Sequence, residues 1–237
     1  MELFREGIQE AIRLLLSGDA ELLSIVLLSL RVSLTATLLS LFLGVPMGMG
    51  LALSQFQGRR FIISLVNVGM GLPPVVVGLM VAIMLWRSGP MGFLGIMYTP
   101  LAMIIAQTVI ALPIITGLTL AAIQQLHPKV RLQILALGAS RLQMLWIMVR
   151  EARLSILAAA IAGFGGVISE VGASMMVGGN ILRQTRVLTT ATVLETGKGN
   201  FDTALALGTI LFALTYTITL ALTLIQQREK SRWSPAR

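Results

Sequence analysis

Few residues in this chain are of the types that do covalent or metal chemistry. Cysteine is absent, so no thiolate nucleophile, thiolate metal site or disulfide framework is available. The single histidine, His127, cannot form a histidine metal cluster. A phosphate-binding loop requires G-x-x-x-x-G-K-[ST]. The nearest stretch, Gly197-Lys198-Gly199, has Thr192 at the upstream glycine position and Gly199 after the lysine. No apolar stretch carries paired carboxylates. Without a nucleophile, base pair or metal set, an enzyme is not expected.

What remains are two isolated charges. Arg31 is the only charged residue in 22–58, and Glu170 the only one in 154–182. A lone charge in hydrocarbon costs about 2.5–3.5 kcal/mol on insertion scales. Both lie about ten residues in from the same side of their stretches, about 15 Å deep at about 1.5 Å per residue. They are expected to pair. One reading is a pore element or gate hinge. The other is a structural salt bridge that offsets its own burial. Pro73-Pro74 and Pro113 interrupt apolar stretches and free backbone groups that protein or water must satisfy. They suggest either pore-facing spans or ordinary kinks. Asn67 and Gln107 could line a path or bridge helices. Glycines at 163, 165, 166, 172, 178 and 179 permit close helix approach and loosen the chain around Glu170.

The elements that must position these residues are apolar. Of 237 residues, 56% are apolar and 12% charged, and the mean hydropathy is +0.87. A soluble domain carries about a quarter charged residues. A membrane helix needs about 20 apolar residues. The uncharged runs divide into five spans, about 23–53, 61–86, 100–125, 155–179 and 203–226. The fold class expected is therefore an all-α integral membrane protein. The transmembrane domain runs over 22–227, with an amphipathic segment at 1–21 and a basic tail at 228–237. The apolar residues Leu3, Phe4, Ile8, Ala11, Ile12 and Leu15 of the first segment recur at roughly helical spacing, which reads as an interfacial helix. A frayed terminus is the alternative. The acids among the first 21 residues do not fit a cleavable signal.

Net charge is +8. The basic residues flank apolar runs with few aromatics between them, so membrane flanking and not nucleic acid accounts for them. With five spans, 54–60, 127–153 and 227–237 share one side and hold most of the 18 basic residues. Lys and Arg concentrate on the cytoplasmic side. The amino terminus is thus expected outside and the carboxyl terminus in the cytoplasm. Arg183 and Arg186 then sit on an external loop, where they could steer an anion, hold a partner or anchor lipid headgroups. Gly197–Asn200 reads as an external turn.

The segment 127–153 is the longest cytoplasmic connection. It lacks proline after Pro128 and holds one glycine, Gly138. Apolar residues at 132, 134, 135, 137, 142, 145 and 147 alternate with polar ones. Two short helices meeting at Gly138-Ala139-Ser140 are expected, the glycine ending one and the serine capping the next. Such a pair suits a groove in another protein, or an anionic lipid surface.

The stretch Leu137-Gly138-Ala139-Ser140-Arg141, followed by Leu142-Gln143-Met144-Leu145-Trp146, resembles the cytoplasmic signature loop of ABC importer permeases. In that family the loop reads Glu-Ala-Ala, three residues, Gly, nine residues and Ile-x-Leu-Pro. Gly138 matches the glycine. Leu132-Gln133-Ile134 and Arg150-Glu151 depart from the two ends. Ser169-Glu170-Val171-Gly172-Ala173-Ser174, with Gly179-Asn180-Ile181, is similar to a stretch of molybdate-type permeases. Leu194-Glu195-Thr196-Gly197-Lys198-Gly199-Asn200-Phe201 looks most like the tungstate-uptake branch.

The resemblance implies a type I ABC importer permease fold in the cytoplasmic (inner) membrane of a prokaryote. It implies a permease homodimer, two ABC ATPase subunits and an external substrate-binding protein. A coupling helix would lie at about Ala139–Met148, with Gly138, Ala139, Ser140, Arg141 and Leu142 in the coupling loop. Arg31, Glu170, Pro73, Pro74, Pro113 and Gly172 are the pore or gate candidates. No cofactor is expected in this chain; ATP and Mg would be bound by the partner ATPase. The expected cargo is a tetrahedral oxyanion, tungstate first, with molybdate or sulfate as alternatives. A secondary anion transporter without an ATPase is the rival class.

Overall fold

A computed structural model describes residues 2–233. Met1 and residues 234–237, the end of the expected basic tail, lie outside the described residues. The described residues form eleven α-helices, joined by turns and one short 3-10 segment at Gly92–Leu94.

The first helix, α1 (Glu2–Ser17), lies along the last, α11 (Phe201–Trp233). A Cβ on Gly7 would meet the Cβ of Leu205 at 2.6 Å, so the missing side chain allows the contact. Ala11 is buried there, while Ile8, Ile12 and Leu16 face outward. Asp19 caps the next helix, α2 (Ala20–Leu53), by accepting from the Glu21 N–H at 2.7 Å. At 34 residues, α2 is about 50 Å long. Its apolar character is nearly uniform around its circumference, as lipid on one side and protein on the other require.

The pair α3 (Arg59–Gly71) and α4 (Pro74–Leu85) is bent by 105°. The cause is local. Pro73 and Pro74 lack backbone donors, and Pro74 takes the first helical position, where no donor is needed. The expected interruption at Pro73-Pro74 is thus present, and the second span is not straight. By contrast, α5 (Pro100–Gln125) runs unbroken through Pro113. Pro113 was expected to interrupt it. Instead one missing rung is absorbed, and the ring packs at Gly69 of α3, where a Cβ would meet it at 2.9 Å.

Next come α6 (Pro128–Ala136), α7 (Arg141–Glu151) and α8 (Arg153–Ile168), the last two meeting at 68°. The fourth span was expected to be continuous over 155–179. It stops at Ile168, and α9 (Gly172–Gly178) follows after a break at Ser169–Val171. The segment 180–202, read as an external connection, contains a further helix, α10 (Leu188–Gly197), whose first four residues are buried. Among the described residues, three helices are long and apolar enough to cross a membrane: Ala20–Leu53, Pro100–Gln125 and Phe201–Arg228. The number is five if each bent pair is one span.

The main core lies where α2, α4, α5, α8 and α9 meet, around Val32, Val81, Met103, Ala106, Ile115, Val167 and Val177. Helices α2 and α5 approach most closely through glycines of α2. A Cβ on Gly48 would lie 2.6 Å from the Thr116 carbonyl oxygen and 3.0 Å from the Leu120 nitrogen. Lipid offers no hydrophobic drive for helix association, so such backbone proximity supplies the packing attraction.

Candidate functional site

The molecule has two functional ends and a broken middle. At one end, α6 and α7 form a helical elbow. Gly138 adopts φ +81°, in the left-handed region, and ends α6. Ser140 then caps α7: its Oγ accepts from the Gln143 N–H at 3.3 Å, and Gln143 Oε1 accepts from the Ser140 N–H at 2.8 Å. The two short helices and their glycine–serine joint are as expected. The second helix, however, spans Arg141–Glu151 and not 139–148, because Ala139 and Ser140 lie in the turn and cap.

Ile134, Met144 and Met148 anchor this elbow against Met49, Ala122 and Ile123. Two arginines also tie the starts of α3 and α6 to the end of α2. Arg59 Nε donates to the Leu51 carbonyl at 2.7 Å, and Arg131 Nη1 to the Leu53 carbonyl at 3.3 Å. The opposite face carries unburied apolar side chains: Leu137 is 88% exposed, Leu142 78% and Trp146 62%. Arg141 is exposed beside them, and the Arg150 guanidinium lies 5.5 Å above the Trp146 ring. An elbow held by its buried face and offering an apolar outer face can transmit force from a docked partner.

In the middle, the two helix breaks touch. Gly172 at the start of α9 sits against Val75 at the start of α4 so closely that a Cβ would overlap it, and Gly78 of α4 meets Ala173 in the same way. Glu170 closes the break. Its Oε1 accepts from the Ala173 N–H at 2.9 Å, and its carbonyl accepts from Thr189 Oγ1 at 3.0 Å. A carboxylate at a helix start satisfies an otherwise orphaned donor and complements the helix dipole. This explains why Glu170 does not pair with Arg31. Glu170 already has a partner, and Arg31 points to the exposed side of α2. The expected Arg31–Glu170 ion pair does not form. Nearby, buried Gln107 donates from Nε2 to Ser174 Oγ at 3.3 Å, bridging α5 to α9, whereas Asn67 is exposed.

Toward the far end, about 30 Å from the elbow along α2, Arg31, Arg183 and Arg186 line one cavity of about 230 Å³ with Ser24, Leu27, Leu28 and Gln184. Arg186 is held by Asn180, donating from Nε to Oδ1 at 3.3 Å and from Nη2 to the carbonyl at 3.4 Å. Glu21 lies 3.9 Å from it. Thr185 fixes the same loop through Oγ1, which donates to the Gly178 carbonyl and accepts from the Ile181 N–H. Beyond this, Glu195 staples the turn expected at Gly197–Asn200. The Lys198 ammonium at 2.7 Å and the Asn200 amide at 2.8 Å hold its carboxyl below the usual carboxylate range. The convergence of Arg31 on the 183–186 loop was not legible from sequence, since 152 positions separate Arg31 from Arg183. Among the described residues, no group of three or more His, Cys, Asp and Glu is placed to hold a metal ion.

Comparison with known proteins places this architecture. The chain is 43% identical over 198 residues to a probable anion ABC transporter permease protein of Haloferax volcanii, covering 81% of this chain and 85% of that one. It is 37% identical over 227 residues to the tungstate uptake system permease protein TupB of Peptoclostridium acidaminophilum, covering 96% of this chain and all of that one, 100%. An inward-facing structure of the MetNI methionine ABC transporter shares the fold at TM-score 0.74 and 20% identity, over 89% of this chain and 96% of that one. The model of the family described as "binding-protein-dependent transport system inner membrane component" matches residues 41–232. The chain therefore belongs to that family, the membrane-spanning permease subunits of ABC importers.

Proposed function

We propose that this chain is the permease of a tungstate importer. Two copies would form the path, two ATPase subunits would bind ATP and Mg and dock on the 127–153 elbow, and an external protein would deliver the anion. The observation that carries the importer reading is the elbow itself: a capped helix pair, anchored on one face and apolar on the other, at the end of the molecule where basic residues concentrate. That end is the cytoplasmic one on the positive-inside rule, which leaves the amino terminus outside and the carboxyl terminus in the cytoplasm. ATP-driven closure of the ATPases would bias the elbow, and through it the broken spans, between two states. No cofactor is needed in this chain. An exposed line of small residues on α8, Ser155, Ala158 and Ala162, suits close approach of a second copy.

Tungstate rests on the resemblance of the 194–201 stretch and on the named activity of the relative that matches the full length. Molybdate and sulfate share its charge and shape. The test is elemental uptake. Cells lacking and re-expressing the gene receive equal traces of tungstate and molybdate, and intracellular W and Mo are measured by mass spectrometry. Tungsten uptake should be lost, restored by the wild type, and not restored by Gly138→Asp. Unchanged W and Mo would overturn the oxyanion reading. Failure of an ATPase subunit to co-purify would favour a secondary transporter.

A further inference from the structure

The cavity between α2 and the 179–187 loop gathers three guanidinium groups where two features oppose their being together. Like charges repel, and the repulsion grows where low-dielectric walls displace water. Apolar Leu27 and Leu28 form part of the lining. Of the carboxylates beside Arg186, Glu21 is 3.9 Å away, beyond hydrogen-bonding distance, while Asp19 and Glu195 line the adjoining cavity and Glu195 is already held by Lys198 and Asn200. Among the described residues, neither Arg31 nor Arg183 has an ion-pair or hydrogen-bond partner.

The loop is nonetheless built to hold them. Asn180 and Arg183 both adopt positive φ, at 52° and 61°, which side-chain-bearing residues rarely do. The Thr185 hydroxyl locks the turn between them, and the two Asn180 bonds fix the Arg186 fork. A backbone so constrained, carrying one oriented guanidinium at Arg186 and one unpaired at Arg183 beside Arg31, has the form of a receptor for a multivalent anion. Guanidinium forks match tetrahedral oxyanions geometrically and bind them through paired charge-assisted hydrogen bonds.

We propose that Arg31, Arg183 and Arg186 form a binding site for a tetrahedral oxyanion group on the permease, at the end of α2 opposite the coupling elbow. This deepens the oxyanion-importer reading and rests on it for the physiological ligand. The cavity opens to the surface, and Arg31 is exposed. Binding is thus weak and exchangeable, as a station on a transport path requires. The same chemistry would accept the phosphate of a lipid headgroup, because Arg31 lies about 16 Å below the start of α2, within reach of the interface by extension of its side chain.

The test is calorimetric titration of the full-length permease, in phosphatidylcholine nanodiscs, with sodium tungstate and with sodium sulfate. It is run alongside native mass spectrometry of retained phosphatidylglycerol. Saturable tungstate or sulfate binding that weakens about tenfold in Arg183→Gln and in Arg31→Gln, and that falls with added salt, supports a site for the free anion. Phosphatidylglycerol retained by the wild type and lost in both variants supports the same site occupied by lipid phosphate. Arg87→Gln removes an equal charge without touching the cavity and should change neither readout. If both variants match the wild type in both arms, or if Arg87→Gln has the same effect as they do, the site does not exist. The readout is binding and not uptake. A failed titration therefore leaves the importer reading standing, and absent tungsten uptake with an intact titration removes only the cargo.

Discussion

Glu170 shows how one half-buried acid is accommodated without a counter-charge. The broken chain at Ser169–Val171 leaves the first donors of α9 without helical partners, and the carboxylate accepts one of them, from Ala173. A glutamine carbonyl can accept the same bond; an alanine cannot. Glu170→Gln should therefore retain wild-type expression and thermal stability in detergent, whereas Glu170→Ala should lose about 1 kcal/mol of stability. If Glu170→Gln preserves stability but abolishes uptake, the charge itself serves the path. If Glu170→Gln is as unstable as Glu170→Ala, the capping explanation fails. Arg31 differs in kind: its side chain faces away from the core, so Arg31→Leu should leave the fold intact. From sequence, the two were matched by depth alone. Depth along a helix carries no information about azimuth, and it is azimuth that separates them.

Among the elements, the most extensive contact is between α2 and α5, and Gly48 lies within it. There a methyl group would meet backbone atoms of the facing helix, which have little freedom to give way. Gly48→Ala should lower stability by about 1–3 kcal/mol through overpacking. Gly50→Ala, where a Cβ meets nothing within 4 Å, should not. Thermal unfolding of the two variants in detergent distinguishes them; alanine's higher helix propensity favours both, so equal stability of the two variants would mean that the Gly48 contact does not decide. The glycines singled out on sequence grounds behave unevenly for the same reason. Gly163 packs against Ile115 and Gly178 against Met103, but Gly165 meets nothing. Composition marks where helices can approach, and only the partner's placement decides which do. The elbow was legible because its cues are local: a glycine, a serine, and a glutamine three residues on. The helix at Leu188–Gly197 was not. It is short, threonine-rich and buried at its start by α2, where Ser29 Oγ accepts from the Leu188 N–H at 2.8 Å.

For the whole molecule, the elbow's outer face is where a partner would bind. Leu142 is exposed and touches none of the buried anchors, so Leu142→Asp should leave stability within about 0.5 kcal/mol of wild type. A buried charge in a docked apolar contact is costly, and loss at such a position exceeds about 2 kcal/mol. Affinity purification of the tagged permease should then recover at least about tenfold less ATPase subunit. Undiminished recovery would place the docking surface elsewhere. The ties from Arg59 and Arg131 to the last carbonyls of α2 give that helix a further role. Pro46 removes one backbone bond eight residues from its Ser54 cap and makes a natural fulcrum. Beyond the fulcrum, about 40 Å of rod reaches to Ala20. A tilt of about 5° imposed at the docked end would swing the far tip by roughly 3 Å. Arg31, about 22 Å from the fulcrum, would move by roughly 2 Å, away from the loop arginines, so that one lever stroke would loosen an anion's berth while opening its way inward.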